Sequence, residues 1–132
     1  MIPVSLKEVI GLGVAGNFAH HLEQAGETKD FVNVEVDEAD APKGIFPFYL
    51  PSGEHEYLTT YPLSSDTIAP PIVGGNLQME PEVALLCGLI FKEGQVVSLK
   101  PLYFTAYNDC SIRKEGAKKI SEKKNWGNQS KG

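Results

Sequence analysis

The sequence predicts a mixed, mostly β (α+β) fold. Three observations carry that expectation. Only one early stretch, residues 17–25, has the apolar spacing of a helix before a series of short alternating runs. Two long apolar runs, residues 78–91 and 96–108, are separated only by a link containing "KEG", as in an antiparallel hairpin with a loop longer than the tightest type. And nowhere does the chain show the strand–helix alternation of a doubly wound sheet.

The elements follow in order. Residues 8–12 read as a short strand. In residues 17–25, Phe18, Leu22 and Ala25 fall on one stripe with His21 beside them, and Gly26 ends the helix. "FVNVEV" alternates and reads as a strand, "DEADAPKG" as a turn-rich link. "IFPFYL" and "EYLTTYPL" read as short strands around the loop "PSGEHE", and "SSDTIAPPIVGGN" is too rich in Pro and Gly for regular structure. The tail, residues 114–124, is polar and helix-compatible. There is no internal repeat.

The 132 residues suffice for one domain with a core, residues 1–132, and leave little room for two. A hydrophobic fraction of 42% with 22% charged residues is that of an ordinary globule. A net charge of -5 argues against a nucleic-acid partner, which needs clustered Lys and Arg. The one basic cluster, Arg113 to Lys124, is interrupted by Glu115 and Glu122 and reads as a solvated helix face. No run approaches the roughly 20 apolar residues of a membrane span, and no basic segment precedes a long apolar one at the N-terminus. Both argue for a cytoplasmic protein without a membrane partner. Cys87 and Cys110 sit in apolar, strand-like settings and read as free buried thiols.

Gly11-x-Gly13-x-x-Gly16 has the spacing of a dinucleotide-binding turn, with acids in "VEVDE" for a ribose hydroxyl. Against that reading, His20 stands where a small residue should pack on the sheet, and the prolines that follow leave room for a single βαβ unit. The other reading is a tight backbone turn that delivers the helix and its histidine.

"QMEPEVALLCGLIF" carries the stronger signal. In a strand Glu80 and Glu82 share a face at the mouth of an apolar run, and two such charges repel unless a cation relieves them. Oxygen-only ligands suit Mg2+, Mn2+ or Ca2+. "AYNDCSIR" ends the next run, and if the runs are neighbours Asp109 reaches the same end. The plainer alternatives are solvated acids at a strand end and a turn at Asn108-Asp109.

With these segments in order, the chain resembles the fumarylacetoacetate hydrolase family. "GNFAHHLEQAGE" is similar to its Asn-Tyr-x-x-His segment with Phe18 for Tyr, "MEPEVALLCG" to its Glu-x-Glu-Leu strand, "YNDCSIR" to its Asn-Asp-x-Ser-x-Arg segment, and the final "SKG" to its Gly-Lys segment. The resemblance implies a β-roll, incomplete at the C-terminus. It also implies Glu80, Glu82 and Asp109 as ligands of Mg2+ (or Mn2+ or Ca2+), and Arg113 and Lys131 as contacts to a substrate carboxylate. His20 or His21, oriented by Glu23, would handle a proton. The implied activity is that of a metal-dependent hydrolase or lyase on a small oxo-acid or β-diketone, with the metal stabilising an enolate. A non-catalytic metal- or ligand-binding relative is the alternative. Because the two long runs need cover on more than one side, self-association through residues 83–108, as a homodimer or by strand exchange, or else association with a C-terminal partner fragment, is also expected.

Overall fold

A computed structural model describes residues 4–17, 28–38, 40–61, 64, 66–70 and 74–127. It is mostly β with few, short helices. A 3-10 turn, Leu6–Glu8, leads into strand β1, Gly11–Ala15, which pairs antiparallel with β2, Gly44–Tyr49. Two-residue strands β3, Leu77–Gln78, and β6, Ser111–Ile112, pair antiparallel. Between them in sequence runs a long hairpin, β4 (Pro81–Lys92) with β5 (Gln95–Asn108). The described strands therefore form three two-stranded antiparallel sheets, and the β-roll of the sequence expectation is not apparent in their pairing. No helix among the described residues is long and apolar enough to cross a membrane.

The glycines of the first motif are explained by β1. Gly13 lies opposite Phe46 in the ladder, and a Cβ on Gly13 would stand 2.4 Å from Phe46 Cζ. A Cβ on Gly11 would stand 2.6 Å from Phe48 Cζ. The outer edges of both rings press on the bare backbone, a close approach that only glycine permits. This corrects both readings of the motif for Gly11 and Gly13, which sit inside an antiparallel strand and form neither a phosphate-cradling turn nor a sharp backbone turn; of the three glycines only Gly16, at φ 72°, turns the chain. It also moves the strand, since Glu8 belongs to the 3-10 turn that Ser5 caps by accepting from Lys7 N at 3.3 Å.

Phe46 reaches through this gap into a small core with Phe31 and Ile120, and Ala15 packs beside it. "FVNVEV" is not a strand. Its Phe31 ends a 3-10 turn, Thr28–Phe31, and is buried, while Val34 N donates to Phe31 O at 3.0 Å and Val32 faces solvent. One anchored aromatic, without a neighbouring strand, decides the segment. "EYLTTYPL" begins as one helical turn, Glu56–Thr59. The hydroxyls of Thr59 and Thr60 donate to Glu56 O at 3.0 and 3.1 Å, so residues read as β-formers instead satisfy a helix carbonyl. Leu50 N donates to Leu58 O at 2.8 Å and ties the turn to the end of β2. Phe48, Tyr61 and Tyr107 then form an aromatic cluster, with centroids 5.3 to 6.1 Å apart, that joins β2 to the base of the hairpin.

The hairpin turn is the two-residue Glu93-Gly94, both at positive φ (52° and 78°), as the tightest hairpin turns require, and is shorter than the loop the sequence predicts. Residues directly opposite share a face. One face is made of the pairs Val83–Ala106, Leu85–Phe104, Cys87–Pro101, Leu89–Leu99 and Phe91–Val96, and every one of these residues is apolar. The other face mixes Glu82–Tyr107, Ala84–Thr105, Leu86–Tyr103, Gly88–Lys100, Ile90–Ser98 and Lys92–Gln95. Irregularities at Leu86/Cys87 and Ile90/Phe91 shift the partner strand yet keep the apolar column in line.

Candidate functional site

The site lies where two ladders meet. The chain leaves β3, crosses Met79 and Glu80, and enters β4; it returns from β5 through Asp109 and Cys110 into β6. At this junction Asp109 N donates to Glu80 O at 3.0 Å, and Glu80 N donates to Asn108 Oδ1 at 3.2 Å. Pro81 follows Glu80 and has no N–H to donate, so the regular ladder starts only after the acid has been set in place. Glu80 and Asp109 thus face each other across the seam. With Glu82 they bring one carboxylate oxygen each to within 4.8 Å of one another.

Two cations meet them. Arg113 follows β6. Its Nε donates to Gln78 Oε1 at 2.9 Å and its Nη2 to Glu80 Oε1. Lys124 comes from the short helix Ile120–Lys124. Its Nζ bridges Glu80 Oε2, at 2.6 Å, and Asp109 Oδ2, and lies 5.2 Å from the centroid of the Phe46 ring. Lys124 is 5% exposed and the Arg113 side chain 7%. This corrects the solvated helix face expected for Arg113 to Lys124: both ends of that cluster turn inward. The sequence did hold a signal. Ile120 and Lys124 are four apart on one helix and so share a side, and Ile120 is a core residue. Of Arg113, only Nη1 has no partner; the hydroxyl of Ser111, 1% exposed, has none either.

A cavity of about 770 Å³ opens beside these groups. Glu80, Glu82, Arg113 and Lys124 line one part of it, the base of the ribbon (Val83, Leu85, Ala106, Tyr107) another, and β1 with Gly16 and Asn17 the facing side. Burial first, then the nearby Tyr61 and Glu82, pushes the Tyr107 phenol well above its ordinary value, so it stays a neutral donor. Burial, with Glu80 next, also raises the Cys110 thiol, which keeps it unreactive. Both cysteines are free.

Every functional residue expected on the described chain except Glu82, which is more exposed, is buried or half-buried here. His20, His21, Glu23 and Lys131 lie outside the described residues, although Asn17, just before the histidines, lines the cavity. His55 stacks on Tyr57 at 5.4 Å and does not line it. Lys124 is the residue that the sequence reading missed.

Compared with known families, residues 27–132 match DUF5718, a family of unknown function. The chain belongs to that family. The match spans Glu80, Glu82, Asp109, Arg113 and Lys124 and starts after the glycine motif and the histidine pair. It corrects the resemblance to the fumarylacetoacetate hydrolase family, to which nothing in the comparison points. The reason is physical: a Glu-x-Glu at a strand start and an Asn-Asp at a strand end arise wherever a hairpin begins and closes on a polar seam, so short motifs of this kind recur without kinship. No curated protein and no solved structure matches the DUF5718 chain.

Proposed function

We propose that this DUF5718 protein is a cytoplasmic, divalent-cation-dependent hydrolase or lyase of a small oxo-acid or β-diketone, with the cation held by Glu80, Glu82 and Asp109. One observation carries this reading: the carboxylates of Glu80, Glu82 and Asp109 converge beside a cavity that Glu80 and Glu82 line together with Arg113, whose buried Nη1 has no partner. The donor set fits the ion. It is all oxygen, which suits Mg2+, Mn2+ or Ca2+. It holds one more carboxylate than the two cationic side chains beside it, so negative charge is in excess. When bound, the cation would polarise a substrate oxygen as a Lewis acid.

The chain's own residues supply the rest. Arg113 lines the cavity and keeps one buried nitrogen, Nη1, without a partner; a small shift of the guanidinium would let it give a substrate carboxylate a charge-assisted hydrogen bond while its other nitrogens hold Gln78 and Glu80. Lys124 Nζ sits among the carboxylates that a cation would claim. Released from them, it is placed to give or take a proton in the cavity, the role expected of His20 or His21. Val83 and Leu85 make one wall of the cavity apolar, although both residues are open to solvent in the single chain. The free thiols accord with a reducing compartment.

The test is calorimetric titration of the protein with MnCl2 and MgCl2, repeated on Glu80→Gln and Asp109→Asn, followed by assay of oxaloacetate and an acylpyruvate. Expected are a single cation site, lost in both variants, and cation-dependent turnover. Binding without turnover would leave a non-catalytic cation-binding domain, and no cation binding in the wild type overturns both readings.

A further inference from the structure

The β4–β5 ribbon inverts the usual arrangement of side chains. Its all-apolar face stands in solvent, with Phe104 81% and Phe91 60% exposed. Among the described residues neither strand has a second hydrogen-bonded neighbour. A two-stranded ribbon is marginal in water by itself, and one with ten apolar residues on one side needs cover.

We propose that this face packs against the same face of a second copy of the chain, and that the second copy closes the open side of the cavity. Three observations select the occupant. First, the column carries no charged or polar residue, so it offers nothing for a charge-coded partner to read. Second, it can pack on itself: the five pairs are apolar throughout, so a two-fold axis in the plane of the face sets apolar side chains against apolar side chains along the whole column, as an isologous interface demands. Third, the size fits. Covering these side chains would remove on the order of 800 Å² per copy from water, the size of a standard stable interface. Face-to-face packing is favoured over edge pairing because Pro81 and Pro101 interrupt the donors of both strands.

Full overlap of the two columns puts the symmetry axis at the third of the five pairs, Cys87–Pro101. Packed sheets lie ~10 Å apart, so the two Cys87 side chains meet near the axis. The column also runs down into the cavity wall through Val83, Leu85 and Ala106, and the partner's ribbon tip lies over that end. This interface does not depend on a bound cation.

Two measurements decide the matter. Sedimentation equilibrium from low to high micromolar concentration should give a dimer for the wild type. Phe104→Asp and Leu99→Asp, on the apolar face, should weaken dimerisation by about 100-fold or more, while Thr105→Asp and Ser98→Asp, on the other face, leave it intact. All four positions are exposed, and an unchanged far-UV circular dichroism spectrum checks that each variant folds. In parallel, a short bismaleimide should join two wild-type chains through Cys87 and fail on Cys87→Ser, because Cys110 is buried. A wild type that stays monomeric, a dimer insensitive to Asp on the apolar face, or a dimer that does not cross-link at Cys87 would each overturn the proposal.

Discussion

The ladder junction and the β4–β5 ribbon adjoin each other and break opposite rules. At the junction, charges are buried: Lys124, Asp109 and the Arg113 side chain are almost dry, with Lys124 holding Asp109 and Glu80, and Arg113 holding Glu80. On the ribbon, aromatic and aliphatic side chains face water without cover. Ordinary domains do the reverse, and either departure is a mark of work to be done, binding in one case and docking in the other. The contrast also teaches how each is kept. Buried charge persists only where every partner is placed by backbone, as the hydrogen bonds from Asp109 N and Glu80 N place the two acids. Exposed apolar surface needs no such placement and is held open by the ladder alone.

The largest effect expected is on the junction. Lys124→Met keeps the length of the aliphatic stem and leaves Glu80 and Asp109 without their shared ammonium. Breaking a buried pair from one side costs roughly 3–5 kcal/mol, to be read from urea denaturation midpoints. Lys118→Met, at an exposed position in the same segment, should cost no more than about 0.5 kcal/mol. Equal effects of the two would show that the junction is no more sensitive than the surface.

Next comes the contact that supports the junction from below. Gly13→Ala drives a Cβ into the Phe46 ring, over which Lys124 Nζ is held. Overpacking of this kind costs about 1–3 kcal/mol. Since the ring must move, cation binding at the junction should weaken along with stability. A loss of stability with unchanged binding would separate the Phe46 core from the site.

These two residues also show what the sequence revealed. The hairpin was legible because residues 78–91 and 96–108 are long, apolar and separated by a turn. Glu80, Glu82 and Asp109 were legible as a cluster because strand ends at one side of a hairpin must lie together. The role of Gly13 is not legible in its spacing, because the ring that explains the glycine lies 33 residues away in β2. Lys124 was hidden because lysines in a polar tail are usually solvated, and only the placement of Ile120 turns this one inward. The short segments at 31–36 and 56–61 depart from the strand expectation because a single buried anchor, Phe31 or Leu58, outweighs β propensity in so small a core.

A smaller effect should appear at the boundary of the two regions, at Tyr107. Its native phenol holds its proton more tightly than the unfolded one, because burial disfavours the phenolate and Tyr61 and Glu82 add to that. The stabilisation is therefore complete below pH ~10, the ordinary phenol value, and is lost as the pH rises from there toward the higher native value, by at most about 1.4 kcal/mol per pH unit. Denaturation midpoints across the alkaline range should fall for the wild type and fall less steeply for Tyr107→Phe. Parallel slopes would show that the fall comes from other groups.

The smallest effect is a gain, at the tip of the ribbon. Glu93 takes φ 52° without the freedom of glycine, beside Gly94 at 78°. A left-handed conformation costs an ordinary side chain roughly 1–2 kcal/mol, and asparagine less, because its amide bonds locally to the backbone. Glu93→Asn creates the Asn-Gly pair that two-residue hairpin turns favour most. It should raise stability by a few tenths of a kcal/mol, up to about 1. The gain matters less than where it is felt. If the ribbon folds as one cooperative unit with the junction, the variant should slow hydrogen exchange at the Glu80 and Asp109 amides, which bond across the seam, as much as at the tip. If protection rises only near residues 92–95, the ribbon opens independently of the junction. The two regions contrasted above would then be separate cooperative units, despite the continuous strands that join them.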